Sequence, residues 1–244
     1  MKPFLILQLR PETEAADDEF AAFLKFGNLQ EDEVHRIRLD QEDIPDDIDL
    51  SHYSGVIVGG GPGCVSDDPL NKSAMDAKIE QACLSLMPEI TARDFPFMGC
   101  CYGIGILGHS LGAKVSKEKW GEVAGTAQCE VVADDPLVEG LTGTWQAFVG
   151  HKEALQELPD GTVQLVTSPT CRYQMVRYGQ NVYATQFHPE ADAQGFENRI
   201  NIYKHKGYFP PEDAARLIKM CRAADVTVPE EILHRFVTRY RTQA

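Results

Sequence analysis

The sequence predicts an α/β fold: an open, mostly parallel twisted sheet with helices on both faces, a small antiparallel edge and C-terminal helices. Three observations carry this. Short apolar runs alternate with amphipathic segments through residue 112. From 114 the pattern changes to strands close together in the chain, and after 190 it turns helical. Strands alternating with helices build parallel sheets covered on both sides, whereas strands in succession pair antiparallel. The 244 residues, 43% of them hydrophobic, are enough for one sizeable core.

"FLILQL" (4–9) reads as a buried first strand, and "DDEFAAFLKFGN" (17–28) as a helix with Phe20, Phe23, Leu24 and Phe26 as its apolar stripe. "EVHRIRL" (33–39) alternates as a second strand, and "GVIVGG" (55–60) has the composition of one buried on both faces. A long helix follows over 71–90, with Met75, Ile79, Cys83 and Leu86 or Met87 at helical spacing. "FPFMGC" (95–100) is the fourth strand, and "YGIGILGHSLG" (102–112) a helix closed by Gly112. "EVAGTAQCEVV", "WQAFVG", "TVQLVTS", "QMVRYG" and "NVYATQF" supply the later strands. Helices are expected over 193–205, from Pro210 and Pro211 onward, and in "PEEILHRFVTRY". The expected division is a catalytic body, 1–192, with a helical extension, 193–244, packed on it.

A net charge of −14 repels phosphate backbones and anionic lipid, which argues against nucleic-acid and membrane partners. No apolar run reaches membrane-span length, and "MKPFLILQLR" is too short for a signal core. Seven cysteines, an odd number without CxxC pairs or Cys/His ligand spacing, point to free thiols in a reducing cytoplasm and to no structural metal. No cofactor motif is present, and the acidic run 40–50 reads as a solvated loop.

Three stretches carry chemistry. In "FPFMGCCYGIGILG" (95–108), Gly99 and Gly103 frame Cys101, the plan of a nucleophile elbow between strand and helix. Alternation along the strand buries Cys100 and leaves Cys101 at the tip, at a helix N-terminus that favours thiolate. "VIVGGGPGCVSDDP" (56–69) lacks the Lys-Ser/Thr of a P-loop; its glycines around Pro62 read as a rigid turn exposing backbone N–H groups, or as an ordinary strand-end turn. In "ATQFHPEAD" (184–192), His188 and Glu190 lie two apart on an extended segment, so a carboxylate can fix the imidazole tautomer. Each stretch alone has a plain packing explanation. Together, each at the C-terminal end of a strand expected to be parallel, they fall where active sites of open α/β sheets gather.

"GGGPG", "GCCYG" and "QFHPE" strongly resemble the oxyanion loop, nucleophile elbow and His-Glu pair of the class I (triad) glutamine amidotransferase family, over roughly 1–192. Within it the likeness is to stand-alone domains similar to the glutaminase domain of GMP synthetase, and "GHKEALQELPDG" (150–161) is similar to a segment of that group. The resemblance implies a flavodoxin-like class I glutaminase fold and a triad of Cys101, His188 and Glu190. Cys101 would form a γ-glutamyl thioester with glutamine or a γ-glutamyl compound, releasing ammonia. It implies an oxyanion hole from the N–H groups of Gly61 and Tyr102, with Gly63, Gly105 and His151 lining the substrate site.

Two departures bear on substrate. The family often reads Cys-x-Gly-x-Gln, and here the last position is Gly105, so a polar clamp is replaced by space. No synthetase domain accompanies the motifs, so ammonia needs a separate synthetase chain as acceptor, or the chain hydrolyses a γ-glutamyl peptide, or it is a subunit silent without its partner. Trp120 and Trp145 are expected to be packing residues, His109 to face a neighbouring element from the elbow helix, and Cys64 to be a spare thiol beside the glycine loop.

Overall fold

The computed structural model describes residues 2–241; Met1 and 242–244, the outermost residues of the two expected segments, lie outside it. A nine-stranded sheet runs in the order β2 (Val34–Arg38), β1 (Phe4–Gln8), β3 (Gly55–Val58), β4 (Phe97–Cys100), β11 (Val182–Thr185), β10 (Met175–Tyr178), β9 (Thr162–Thr167), β6 (Glu122–Val131) and β7 (Thr144–His151). The first five strands are parallel. From β11 outward the pairing is antiparallel. The expected α/β class holds, and the sheet continues past β11 with antiparallel strands because consecutive hairpin strands need no crossover helix to extend it. β5 (Val115–Ser116) and β8 (Ala154–Leu155) form a separate two-stranded ribbon.

Side-chain alternation divides the core. Leu5, Leu7, Val56, Val58 and Phe97 face α2 (Ala74–Ala92) and α3 (Tyr102–Ser110). Phe4, Ile6, Ile57, Met98 and Cys100 face α1 (Thr13–Gly27) and α6 (Val228–Tyr240), which contribute Phe23, Phe236 and Val237. Both sheet faces are thus covered, which is why β1 and β3 read as apolar runs while the edge strand β2 alternates.

Helix ends differ from the sequence expectation for local reasons. α2 starts after Ser73, whose Oγ accepts the Asp76 N–H at 3.0 Å, rather than at Asn71. α1 begins four residues before the expected start; its acidic first turns suit the positive end of a helix. α3 ends as the sequence suggests: Gly112 has φ +75°, and the N–H groups of Gly112 and Ala113 reach back to the His109 and Gly108 carbonyls at 3.0 and 2.9 Å.

Of the C-terminal helices, the first, Ala193–Tyr203, lines the site end of the sheet. α4 (Ala193–Tyr203) and α5 (Ala214–Arg222) form a third apolar cluster with β6 and β7, built on Phe148, Phe196, Ile200, Leu217 and Cys221. Among the described residues no helix is long and apolar enough to cross a membrane.

Candidate active site

The site lies beyond the C-terminal ends of β1, β3, β4 and β11, and it begins at the turn from β4 into α3. Cys101 holds φ 53° and ψ −92°, a region L-residues rarely adopt, at a cost on the order of 1–3 kcal/mol. Its N–H is tied to the Thr185 carbonyl at 2.8 Å and its own carbonyl accepts from Ile104, so the strain is held from both sides. A Cβ on Gly99 would sit 2.8 Å from the backbone C and O of Gly103. Strand and helix therefore cross at a distance only glycine allows. Gly99→Ala is expected to lower stability by about 1–3 kcal/mol, read as a lower urea midpoint, because backbone rather than side chain must give way.

Cys100 is fully buried on the α1/α6 face, while Cys101 lines two cavities that meet at its side chain. His188 follows β11 and shares the first cavity with Cys101. Its Nδ1 lies 2.9 Å from Oε1 of Glu190, which is wholly buried and also accepts an ion pair from Arg199 Nη1 at 2.9 Å.

The electrostatics follow from this burial. Glu190 is held well below the usual carboxylate range: burial opposes its charge, but His188 and Arg199 outweigh it. His188 is lowered from 6.5, first by burial and then by Arg199 and Arg10, against the pull of Glu190. Burial pushes the Cys101 thiol up to about 12, although Arg10 and Arg199 favour its charged form. The helix N-terminus thus does not yield the resting thiolate that the sequence suggested; desolvation wins. A neutral imidazole beside a neutral thiol is the arrangement in which the base removes the proton as the sulfur attacks.

The glycine loop after β3 is shaped by close approach. A Cβ on Gly60 would lie 2.6 Å from Arg10 Nη2 and 2.9 Å from His188 Cε1; one on Gly63 would lie 2.9 Å from the Tyr102 ring. Gly60 N–H donates to Glu19 Oε1 at 3.1 Å, and the Tyr208 hydroxyl donates to the Gly61 carbonyl at 3.5 Å. Gly61 borders both cavities beside Cys101. Tyr102 is the first residue of α3, where N–H groups have no partner within the helix.

The second cavity includes Gly63, Cys64, Gly105, Glu153 and Gln186. The space at Gly105 is taken by Glu153: its Oε1 lies 2.9 Å from where a Gly105 Cβ would be. The carboxylate accepts from Val65 N–H at 2.8 Å, Ser66 N–H at 2.9 Å and Ser66 Oγ at 2.6 Å. Burial nevertheless raises it above the ordinary range. Gln186 is buried in the same wall, and its Oε1 has no partner among the described residues.

His151 borders this cavity, but its ring nitrogens are engaged elsewhere. Nδ1 faces the Glu153 carbonyl at 2.9 Å and Nε2 the Glu122 carboxylate at 2.8 Å. Glu122, His151 and Cys171 place ligand-type atoms within 4.8 Å of one another, the one such group among the described residues. Glu122 spends that proximity on hydrogen bonds to His151, Gln174 and Thr170. Trp145 packs edge-on against Phe187 at 5.6 Å, and Cys64 is a buried thiol pushed up to about 12 by burial and by Glu153.

The sequence reading did not single out Arg10, Glu19, Glu153, Arg199 or Tyr208 as site residues. For Arg10 a signal existed: a polar residue just past a fully buried parallel strand stands at the site edge of the sheet. Arg199 and Tyr208, on and after α4, carried none.

The glutamine amidotransferase class-I family model matches residues 25–202. The chain belongs to the class-I glutamine amidotransferase family. Among curated relatives, this amidotransferase chain is 31% identical over 177 residues to the glutamine-hydrolysing GMP synthase of Geobacillus kaustophilus, covering 72% of the chain and 31% of the relative. It is 34% identical over 139 residues to that of Lactobacillus delbrueckii subsp. bulgaricus, covering 56% of the chain and 24% of the relative. It thus spans only about a quarter to a third of the length of these relatives. Solved neighbours share the fold over nearly the whole chain. A glutamine amidotransferase from Thermotoga maritima superposes with TM-score 0.76 at 21% identity, covering 98% of both chains. One from Methylobacillus flagellatus superposes with TM-score 0.74 at 19% identity, covering 100% of this chain and 97% of that one.

Proposed function

We propose that this amidotransferase hydrolyses the γ-carboxamide of glutamine through a Cys101 γ-glutamyl thioester. One observation carries the reading: Cys101, on a strained elbow, shares a cavity with His188, whose Nδ1 is bonded to the buried Glu190. His188 takes the thiol proton as sulfur attacks the amide carbon, then gives it to the departing nitrogen. Water, deprotonated by His188, releases glutamate and restores the thiol. The N–H groups of Gly61 and Tyr102 receive the oxyanion, an arrangement in which one lost donor costs on the order of 10²–10³ in rate. In this reading residues 1–192 are the catalytic body, and 193–244 form an extension that walls the site through α4.

The second cavity receives the glutamyl moiety. Glu153 and Gln186 present acceptors there, which suits an α-ammonium group and replaces the polar clamp missing at Gly105. His151 is then a positioning residue that holds the Glu153 turn. Glu153→Gln is expected to raise KM for glutamine by about 10- to 100-fold with a smaller effect on kcat, as for one lost hydrogen bond to a charged group.

The reaction is tested by incubating the protein with glutamine and measuring glutamate and ammonia together, with acid quench and intact-mass detection of the acyl enzyme. Equimolar products and a γ-glutamyl adduct support the reading; absence of both products and adduct refutes it. The likeness to glutamine-hydrolysing GMP synthases favours a second reading in which a synthetase accepts the ammonia and raises the rate. A rate unchanged by such a synthetase counts against it.

A further inference from the structure

The two cavities at Cys101 carry opposite chemistry. The one assigned to the glutamyl moiety presents the acceptors of Glu153 and Gln186, and its Lys152 ammonium is engaged by the Lys206 carbonyl at 3.0 Å. The one on the His188 side presents cations, Arg10 and Arg199, among aromatic walls from Phe196, Tyr203 and Tyr208. Arg199 is only 5% exposed, and its Nε, Nη1 and Nη2 make no hydrogen bond among the described residues; the Glu190 contact is an ion pair alone. A guanidinium has five N–H donors, and burying them unpaired is costly. Arg10 is equally buried. Its Nε is held by Glu19 at 2.8 Å, its guanidinium lies 5.5 Å from the Tyr203 ring centre, and its Nη2 crowds the same side of Gly60 as His188.

His188 must protonate the leaving nitrogen, so whatever is attached to that nitrogen enters the cavity His188 lines. Ammonia, with one lone pair, cannot satisfy the several buried guanidinium N–H groups that Glu19 and Glu190 leave unengaged. A carboxylate matches them bidentately. We propose that the Arg10–Arg199 cavity is a leaving-group subsite for a carboxylate, making the preferred substrate a γ-glutamyl amide whose amine is a small amino acid. This rests on the glutaminase reading of the site. The cavity is small and walled by the rings of Phe196, Tyr203 and Tyr208, which favours a small amine such as glycine. The bonds balance as for glutamine: the C–N bond breaks as C–S forms, and the thiol proton passes through His188 to the amino-acid nitrogen. Water then cleaves C–S to give glutamate, and a proton returns to sulfur.

The test compares γ-glutamylglycine with γ-glutamylglycinamide, which differ only in the carboxylate, alongside glutamine. In the wild type, kcat/KM is expected to favour the carboxylate by about 10-fold or more, since a site built to pair a group rejects the analogue lacking it. In Arg199→Gln that ratio is expected to fall toward one. Calorimetric binding of the same two ligands to Cys101→Ser should repeat the preference without turnover. A wild-type ratio at or below one overturns the subsite even where glutamine is hydrolysed well. So does an Arg199→Gln defect that is equal for both ligands and glutamine, which would mean that Arg199 serves only Glu190 or the glutamyl carboxylate. A binding preference in Cys101→Ser with no turnover in the wild type supports the subsite and refutes the hydrolase reading instead. Should Arg199→Gln fail to fold, the wild-type and Cys101→Ser ratios decide alone.

Discussion

Cys101→Ala is expected to lower glutamine hydrolysis by at least about 10⁴-fold and to abolish the acyl enzyme, whereas Cys100→Ala keeps the rate within a few-fold. The magnitude follows from losing a nucleophile whose partners act as a unit, so that little but binding and oxyanion stabilisation remains. The asymmetry follows from the elbow. Cys100 points into the α1/α6 core beside Ile57 and Met98; Cys101 occupies the strained tip and borders both cavities. Truncating Cys100 removes one buried sulfur, so its cost falls on stability, about 1 kcal/mol or more on the scale of small core deletions. The measurements are steady-state ammonia release, intact mass after acid quench and a urea midpoint for each variant. Activity surviving in Cys101→Ala and lost in Cys100→Ala would reverse the assignment.

Glu190→Gln is expected to cost about 10³- to 10⁴-fold in kcat and, unlike Cys101→Ala, to destabilise the fold by about 3–5 kcal/mol. The kinetic loss comes from an imidazole no longer fixed in the tautomer that leaves Nε2 free. The stability loss comes from Arg199, left buried beside a neutral amide. The pH dependence is a companion result. His188 must be neutral to act as base, and its pKa is lowered from 6.5, so the acid limb of kcat/KM should lie below pH 6.5. Stability moves the same way. A group whose folded pKa is depressed contributes stability above its unfolded pKa and loses it as pH falls. His188 contributes this loss below 6.5, and Glu190, also depressed, adds its own below 4.5. An acid limb above 6.5, or a Glu190→Gln protein as stable as wild type, would contradict this electrostatic account.

Legibility in the sequence tracked how local the physics is. The central parallel strands were readable because each is a short run of residues buried on both faces, as in "GVIVGG" and "FPFMGC". The elbow was readable because Gly99 and Gly103 bracket one residue, and the reason is a contact between neighbours in the chain. The start of α1 was missed because its acidic first turns look like a loop without knowledge of what they cap. The protonation of Cys101 was misjudged for a different reason. A helix N-terminus is visible in sequence, but the desolvation that overrides it comes from α4, β11 and the glycine loop closing over the sulfur.

By itself, the sequence determined the α/β architecture, the family and the placement of Cys101, Gly61 and the His188–Glu190 pair at strand ends. Those features arise from periodicity and from residues adjacent in the chain. Only the tertiary structure decided what surrounds them. Glu153 fills the space at Gly105 from 48 positions away, and Arg199 reaches Glu190 from a helix outside the motif region. Arg10 and His188 converge on Gly60 because both follow parallel strands. Charge and desolvation act through space, so the groups that tune the triad and shape its two cavities are set by the packing of distant segments, which no local pattern encodes.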